Sequence, residues 1–403
     1  MSTDSQPKNE TVKQETLRLE IEEEEEEEEV TRQNGAEGLP WDPSKIRITT
    51  KHFSLREVIE DIDTGAIDLS PDFQRDYVWK KRQRTKLVES ILLGVPLPAF
   101  YFNQDNLGEY QVVDGVQRLS TVRLFMKDGH VLEKDDLEYL KHLDGYCFSH
   151  LDAADARRFK TTQIVVHVIE PQTPDEVKYD IFSRVNTLGM PLSTQEIRHA
   201  MSKPKSRKFL KELSDSQIFN KATNRIYMDS DVGSKNGTKK TLRMLTQELA
   251  LRFCAFRRYS DYEYRLHANL NAYLVDFTRR IDGVPAKAAA LTDKDLIELK
   301  NEFECGMLNA HEILGDTAFR KVLPNALVRR GPLSRAIFES QAVALADYKL
   351  DELKPKQMAI KDMFSSLFTD PEYARAIGAG TGTAKNVYMR IEWPKMLLSE
   401  VLK

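Results

Sequence analysis

The sequence predicts a mixed α/β (α+β) domain followed by a mostly α-helical one. Two observations carry this. Up to about residue 200, short runs of β-branched and aromatic residues alternate with helix-period stripes. Beyond that point long helix-period segments dominate and convincing strands are scarce.

The first domain reads in order. Order is expected to begin near Trp41 and Pro43, and Ser54 with Glu57 is a capping-box pair opening a helix that Gly65 ends. Ile67 to Trp79 reads as extended chain and loop. Lys80 to Leu93 has apolar residues at 87, 88, 91 and 92, with Gly94 where a C-terminal cap falls. Ala99 to Asn103 and Tyr110 to Val113 read as strands joined by the turn-rich Gln104 to Gly108, and a helix follows from about Gln117 to Met126. The β-branched stretch Thr161 to Ile169 is a further strand, Asp175 to Val185 a helix, and Ser193 with Glu196 opens the next. In the second domain Leu242 to Phe256, Leu266 to Ile281, Asp293 to Leu314 and Leu333 to Ala346 are each long enough for a helix, and Asp231 to Lys240 reads as a loop.

Charge is unevenly spread. The net charge of -4 conceals a run of eight glutamates, Glu22 to Glu29, in a segment whose only basic residues are Lys8, Lys13, Arg18 and Arg32. Residues 1–40 are therefore expected to be a disordered acidic tail, because like charges repel and little apolar surface offsets the ordering entropy. Such a tail either solubilises the protein or mimics DNA over a basic groove. The remainder is mildly basic, which permits a polyanionic partner without demanding one. The expected domains are 1–40 (tail), 41–203 (mixed) and 204–403 (helical). No apolar run reaches the roughly 20 residues of a membrane helix, and no signal peptide opens the chain. Cys147, Cys254 and Cys305 are isolated from one another, which fits buried thiols and a reducing, cytoplasmic compartment. The chain holds no GxxxxGK[ST] motif, no HExxH motif and no zinc spacing.

Three segments bear chemistry. The first, QVVDGVQRLST (residues 111–121), reads as strand, turn and helix. A helix N-terminus suits a phosphate, Gly115 allows close backbone approach, and Arg118 can fork two phosphate oxygens. Asp114 is suited to hold a divalent metal such as Mg²⁺ or to orient a water, and Gln117 to bond an oxygen or a base. A cap at Asp114 with Arg118 paired to a surface carboxylate satisfies the same pattern. The second segment carries Gln74, Arg75, Tyr77 and Trp79, then Lys80, Lys81, Arg82, Arg84 and Lys86. Basic residues beside large aromatics can bind nucleic acid, and a packed Trp79 with a solvated lysine face fits equally. In the third, Arg184 and Asn186 end a helix, Gly189 allows a tight turn, and Ser193 restarts a helix.

Taken in order, FQRDYVW, VVDGVQRLST and FSRVNTLGMPLSTQEIR resemble the N-terminal domain of GmrSD-type restriction endonucleases over roughly residues 50–200. The signature Asp-Gly-x-Gln-Arg falls on Asp114 to Arg118, and PNALVRRGPLSRAIFES and KNVYMRIEW resemble later family blocks. The resemblance implies a ParB/sulfiredoxin-like fold and a non-P-loop site for an NTP of undetermined base. Asp114, Gln117 and Arg118 would act on it, and Gln74, Arg75, Gly115, Arg184 and Asn186 would bind it. A hydrophobic Val116, where the family often has Gln or Leu, argues for packing. The implied function is a DNA-associated, NTP-binding module of restriction and phage defence, with or without NTP hydrolysis, working with a separately encoded nuclease or another defence protein. The alternative is a DNA-binding or adaptor protein without turnover. His267 and His311 are the only histidines of the C-terminal half, with no HNH-like signature around them, so nuclease activity is not expected of this chain alone.

Overall fold

The computed structural model describes residues 42–69, 79–185, 193–224, 244–324 and 332–403. The acidic tail, the Asp231 to Lys240 loop and parts of the second and third chemistry-bearing segments (70–78 and 186–192) lie outside these residues. The chain divides into two compact units, Gly38–Met201 and Ser202–Lys403.

The first unit is a five-stranded mixed sheet with helices. Strand β1 (Ile48–Ser54) runs into α1 (Leu55–Thr64), then β2 (Ile67–Asp68), α2 (Lys81–Leu93), β3 (Phe100–Gln104), β4 (Tyr110–Asp114), α3 (Val116–Met126), α4 (Ala153–Thr161), β5 (Gln163–Ile169), α5 (Asp175–Val185) and α6 (Thr194–Met201). The sheet order is β1-β5-β3-β4-β2, with β2 parallel to β4, β3 parallel to β5, and the other pairs antiparallel.

Local chemistry explains the element ends. Ser54 and Glu57 make the reciprocal capping box of α1, and Gly65 closes it in the left-handed region at φ 86°. Gly94 (φ 77°) closes α2 in the same way. Glu196 N–H donates to Ser193 Oγ (3.2 Å) and Ser193 N–H to Glu196 Oε2 (2.7 Å), which opens α6. The strands alternate faces as period-2 elements must. Phe53, Phe102 and Tyr110 cluster on one face, with ring centroids 6.0–6.3 Å apart. On the other face Val113 and Ile169 pack with Phe182 of α5 and Ile197 of α6.

Two elements of this unit were not expected: β1 and α4. The strand placed at Thr161 begins instead at Gln163, because α4 runs through Thr161 and Thr162 turns the chain.

The second unit is helical: α7 (Pro204–Ser214), α8 (Gln217–Ala222), α9 (Leu245–Arg257), α10 (Asp261–Arg265), α11 (Leu270–Ile281), α12 (Asp293–Asn309), α13 (Arg335–Leu345), α14 (Leu350–Leu353), α15 (Gln357–Leu367), α16 (Pro371–Gly378) and α17 (Ala384–Leu402). The helix expected over Leu266 to Ile281 starts only at Leu270, because Asn269 is extended and its side chain caps Ala272 N–H. The helix expected to reach Leu314 does so through a π-helical turn, Ala310–Leu314, whose Ile313 carbonyl accepts a bond from Gln357. At the centre Glu339 receives Arg252 on one oxygen (2.8 Å) and Arg390 on the other (2.6 Å), all three side chains buried. Glu248 holds Arg252 from its far side. This network ties α9, α13 and α17 together.

Candidate functional site

The segment from Gln111 to Thr121 forms the expected strand-turn-helix corner. Val112 and Val113 are buried in β4, and Asp114 is the last strand residue, opposite Tyr101 of β3. Gly115 then takes φ 100° and serves as N-cap of α3. Glycine is required twice over. The left-handed backbone disfavours a side chain, and a Cβ here would lie 2.2 Å from Phe100 Cδ1. Val116 is buried, as its apolar character requires.

Arg118 lies one turn into α3 and folds back towards the sheet. Its Nη2 donates to Asp114 Oδ2 (2.6 Å) and to the Ala99 carbonyl (3.2 Å), and its Nη1 donates to the Pro98 carbonyl. The guanidinium carbon sits 4.1 Å from the centre of the Phe100 ring. Burial lowers the Arg118 pKa from its ordinary value, and the Asp114 charge opposes that shift. Arg118 therefore fastens the start of α3 to the segment entering β3 and fixes the Asp114 carboxylate, whose side chain stays 34% exposed.

This geometry differs from the capping alternative. Asp114 is not the N-cap, the N-cap Gly115 supplies no side chain to cap α3, and the carboxylate that pairs with Arg118 is Asp114 itself. With the first intrahelical bond running from Leu119 N–H to the Gly115 carbonyl (2.9 Å), the first-turn N–H groups of α3 precede the helical ladder. The partial positive charge of the helix start thus stands beside an oriented carboxylate.

Elements next in sequence to the other two segments adjoin β4. Asp68 of β2 pairs with Gln111 of the parallel β4, so the two strands end on the same side of the sheet. In α/β sheets ligands collect outside the carboxyl ends of parallel strands. From the opposite face α6 packs on β4 through Ile197 and Val113. That helix also buries polar groups for which the sequence reading had no role: Arg198 donates from Nε to Gln195 Oε1 (2.8 Å), both about 1% exposed.

Gln74, Arg75, Tyr77 and Asn186 lie outside the described residues. Arg184 is exposed at the end of α5, 3.9 Å from Asp180. Trp79 is half-buried, and its carbonyl accepts from Arg84 Nε (2.9 Å). Lys81 pairs with Glu133 (2.7 Å) and Lys86 with Glu138 (3.7 Å), which partly neutralises the basic series, whereas Lys80 and Arg82 are exposed. Two groups that position the region gave no sequence signal: Phe100 under Gly115 and Arg118, and Glu89. Burial alone would raise the Glu89 pKa, but N–H groups of Leu140, Glu138 and Tyr139 donate to its carboxylate and hold it below its ordinary value.

Asp114 offers a divalent cation one protein ligand, and among the described residues no group of three or more His, Cys, Asp or Glu side chains is arranged to hold a metal. A cation here would draw its other oxygens from a nucleotide and water, as Mg²⁺ commonly does. Among the described residues no helix is long and apolar enough to cross a membrane, and all three cysteines are free.

Fold and site define a class: a mixed-sheet domain that presents a strand-glycine-helix corner at the carboxyl end of parallel strands. Residues 55–202 match the family described as GmrSD restriction endonuclease, N-terminal domain. No curated protein and no solved structure matches the chain significantly.

Proposed function

We propose that the first unit is a nucleotide-binding module that works on DNA in restriction and phage defence. The observation that carries this reading is the corner itself: a glycine N-cap in the left-handed region, next to a carboxylate clamped by Arg118. A nucleotide phosphate accepts bonds from the first-turn N–H groups of α3, and Gly115 lets it approach the backbone. Arg118, with three protein oxygens already on its guanidinium, acts first by orienting Asp114. It reaches a phosphate only by trading one of those partners. Gln117 sits on the same turn and selects among nucleotide oxygens or bases. Gln74, Arg75, Arg184 and Asn186 complete the cradle. If the nucleotide is hydrolysed, the Asp114 carboxylate holds the water, directly or through Mg²⁺.

DNA is the second partner. Lys80, Lys81, Arg82 and Arg84 at the start of α2 contact phosphates, and Tyr77 and Trp79, which precede them in the sequence, serve for stacking. A separate nuclease subunit or defence protein reads out the nucleotide state. The competing reading, a DNA-binding adaptor without turnover, draws on the same observation that Arg118 is satisfied within the protein. Assays of NTP hydrolysis by the full chain with and without DNA separate the two. Hydrolysis lost in Asp114→Asn supports the first, and salt-dependent DNA binding with neither nucleotide binding nor hydrolysis supports the second.

A further inference from the structure

A second cluster of reactive groups lies outside the corner, on the loop that follows α3. Cys147 Sγ is 3.5 Å from His150 Nδ1 and 3.3 Å from Ser149 Oγ. Asp128 stands beside them in the left-handed region (φ 58°), its Oδ1 accepting Ser149 N–H (2.8 Å). Cys147 is half-buried, while Asp128, Ser149 and His150 are exposed, so a small reagent reaches the thiol. The backbone here is fixed: Phe148 packs edge-on against Phe125 of α3 and against Phe159 of α4, with centroids 5.7 Å away in each case.

We propose that Cys147 is a modification site, a thiol activated by His150 that hydroperoxides oxidise to the sulfenic acid. The imidazole Nδ1, when it carries no proton, accepts the thiol proton, and the thiolate is the nucleophilic form of sulfur. The Ser149 backbone N–H, and after it the Cys147 thiol, hold Asp128 below the ordinary carboxylate range; the thiol proton reaches His150 by turning away from Asp128, whose charge opposes the thiolate but favours the imidazolium that results. The thiolate then attacks one oxygen of the hydroperoxide. The S–O bond forms, the O–O bond breaks, and the departing oxygen takes a proton. Sulfur loses two electrons and the hydroperoxide gains them.

The other two cysteines serve as controls within the same chain. Cys254 is fully buried in α9, and burial pushes its thiol far up. Cys305 donates to the Tyr348 carbonyl (3.3 Å), and burial raises it also. Neither has a base beside it among the described residues.

The test is to treat the folded full-length protein with hydrogen peroxide, trap sulfenic acid with dimedone, and follow each cysteine by peptide mass spectrometry. Labelling at Cys147 should be at least about tenfold faster than at Cys305 or Cys254, and His150→Gln should slow it by about tenfold while leaving Cys305 unchanged. Labelling rates at Cys147 and Cys305 that agree within about threefold overturn the proposal, as does an unaltered Cys147 rate in His150→Gln. The comparison of the three wild-type cysteines needs no variant, so it stands even if His150→Gln folds poorly.

Discussion

At Gly115 backbone and packing make the same demand. Gly115→Ala puts a Cβ at φ 100° and into the Phe100 ring, so about 2 kcal/mol or more of stability should be lost. Thermal denaturation reads this as a fall of several degrees. Arg118→Lys keeps the charge but loses the planar fork and the stacking on Phe100. It should cost about 1–2 kcal/mol and loosen Asp114, and a wild-type melting temperature would show that the clamp carries no stability. His130 supplies a pH dependence. Its Nε2 lies 3.1 Å from Thr85 Oγ1 in a buried site, and burial first, then Arg84, lowers its pKa below the ordinary 6.5. The unfolded chain then takes up the proton more readily than the folded one. Stability from this group is complete above about pH 6.5 and is lost as pH falls from there through the lower folded pKa. Urea midpoints between pH 7.5 and 5.5 should fall in wild type, and the fall should be shallower in His130→Gln.

The elements themselves show what a sequence can reveal. Ser54→Ala removes the oxygen that accepts Glu57 N–H and should cost about 1 kcal/mol, measurable as a lowered urea midpoint. That cap was legible because its chemistry is local: Ser54, Glu57 and Gly65 lie within twelve residues, as do the glycine closing α2 and the pair opening α6. Strand β1 was not legible because it is an edge strand, paired only with β5 and mostly exposed, so no apolar alternation marks it. Helix α7 was missed for a similar reason: Ser206, Arg207 and Ser214 share its buried face with only three large apolar residues, Phe209, Leu210 and Leu213, although Pro204 at its first turn is a helix-start signal. Within the candidate site the split is the same. The strand, the glycine, the helix and the Asp114 partner of Arg118 lie among neighbouring residues, whereas the Pro98 and Ala99 carbonyls that also hold Arg118 come within reach only once β3 pairs with β4.

For the molecule as a whole, the two units are held by different means. The first depends on a sheet covered by helices, and the second on a helical core pinned by buried charge. Glu339 balances two arginines from α9 and α17, and all three are shielded from water. Glu339→Gln leaves Arg252 and Arg390 without that carboxylate and should cost about 3–5 kcal/mol in the second unit, since an uncompensated buried charge is far more costly than a lost surface pair. Limited proteolysis and thermal denaturation should show Ser202–Lys403 opening early in that variant. If the melting curve is unchanged, the network is dispensable. The central claim concerns the first unit, and titration calorimetry of the full-length protein with ATP and GTP in the presence of Mg²⁺ tests it most directly. Saturable binding to wild type, weakened about tenfold or more in Asp114→Asn, is the predicted result, and no binding of either nucleotide to well-folded wild-type protein would contradict it.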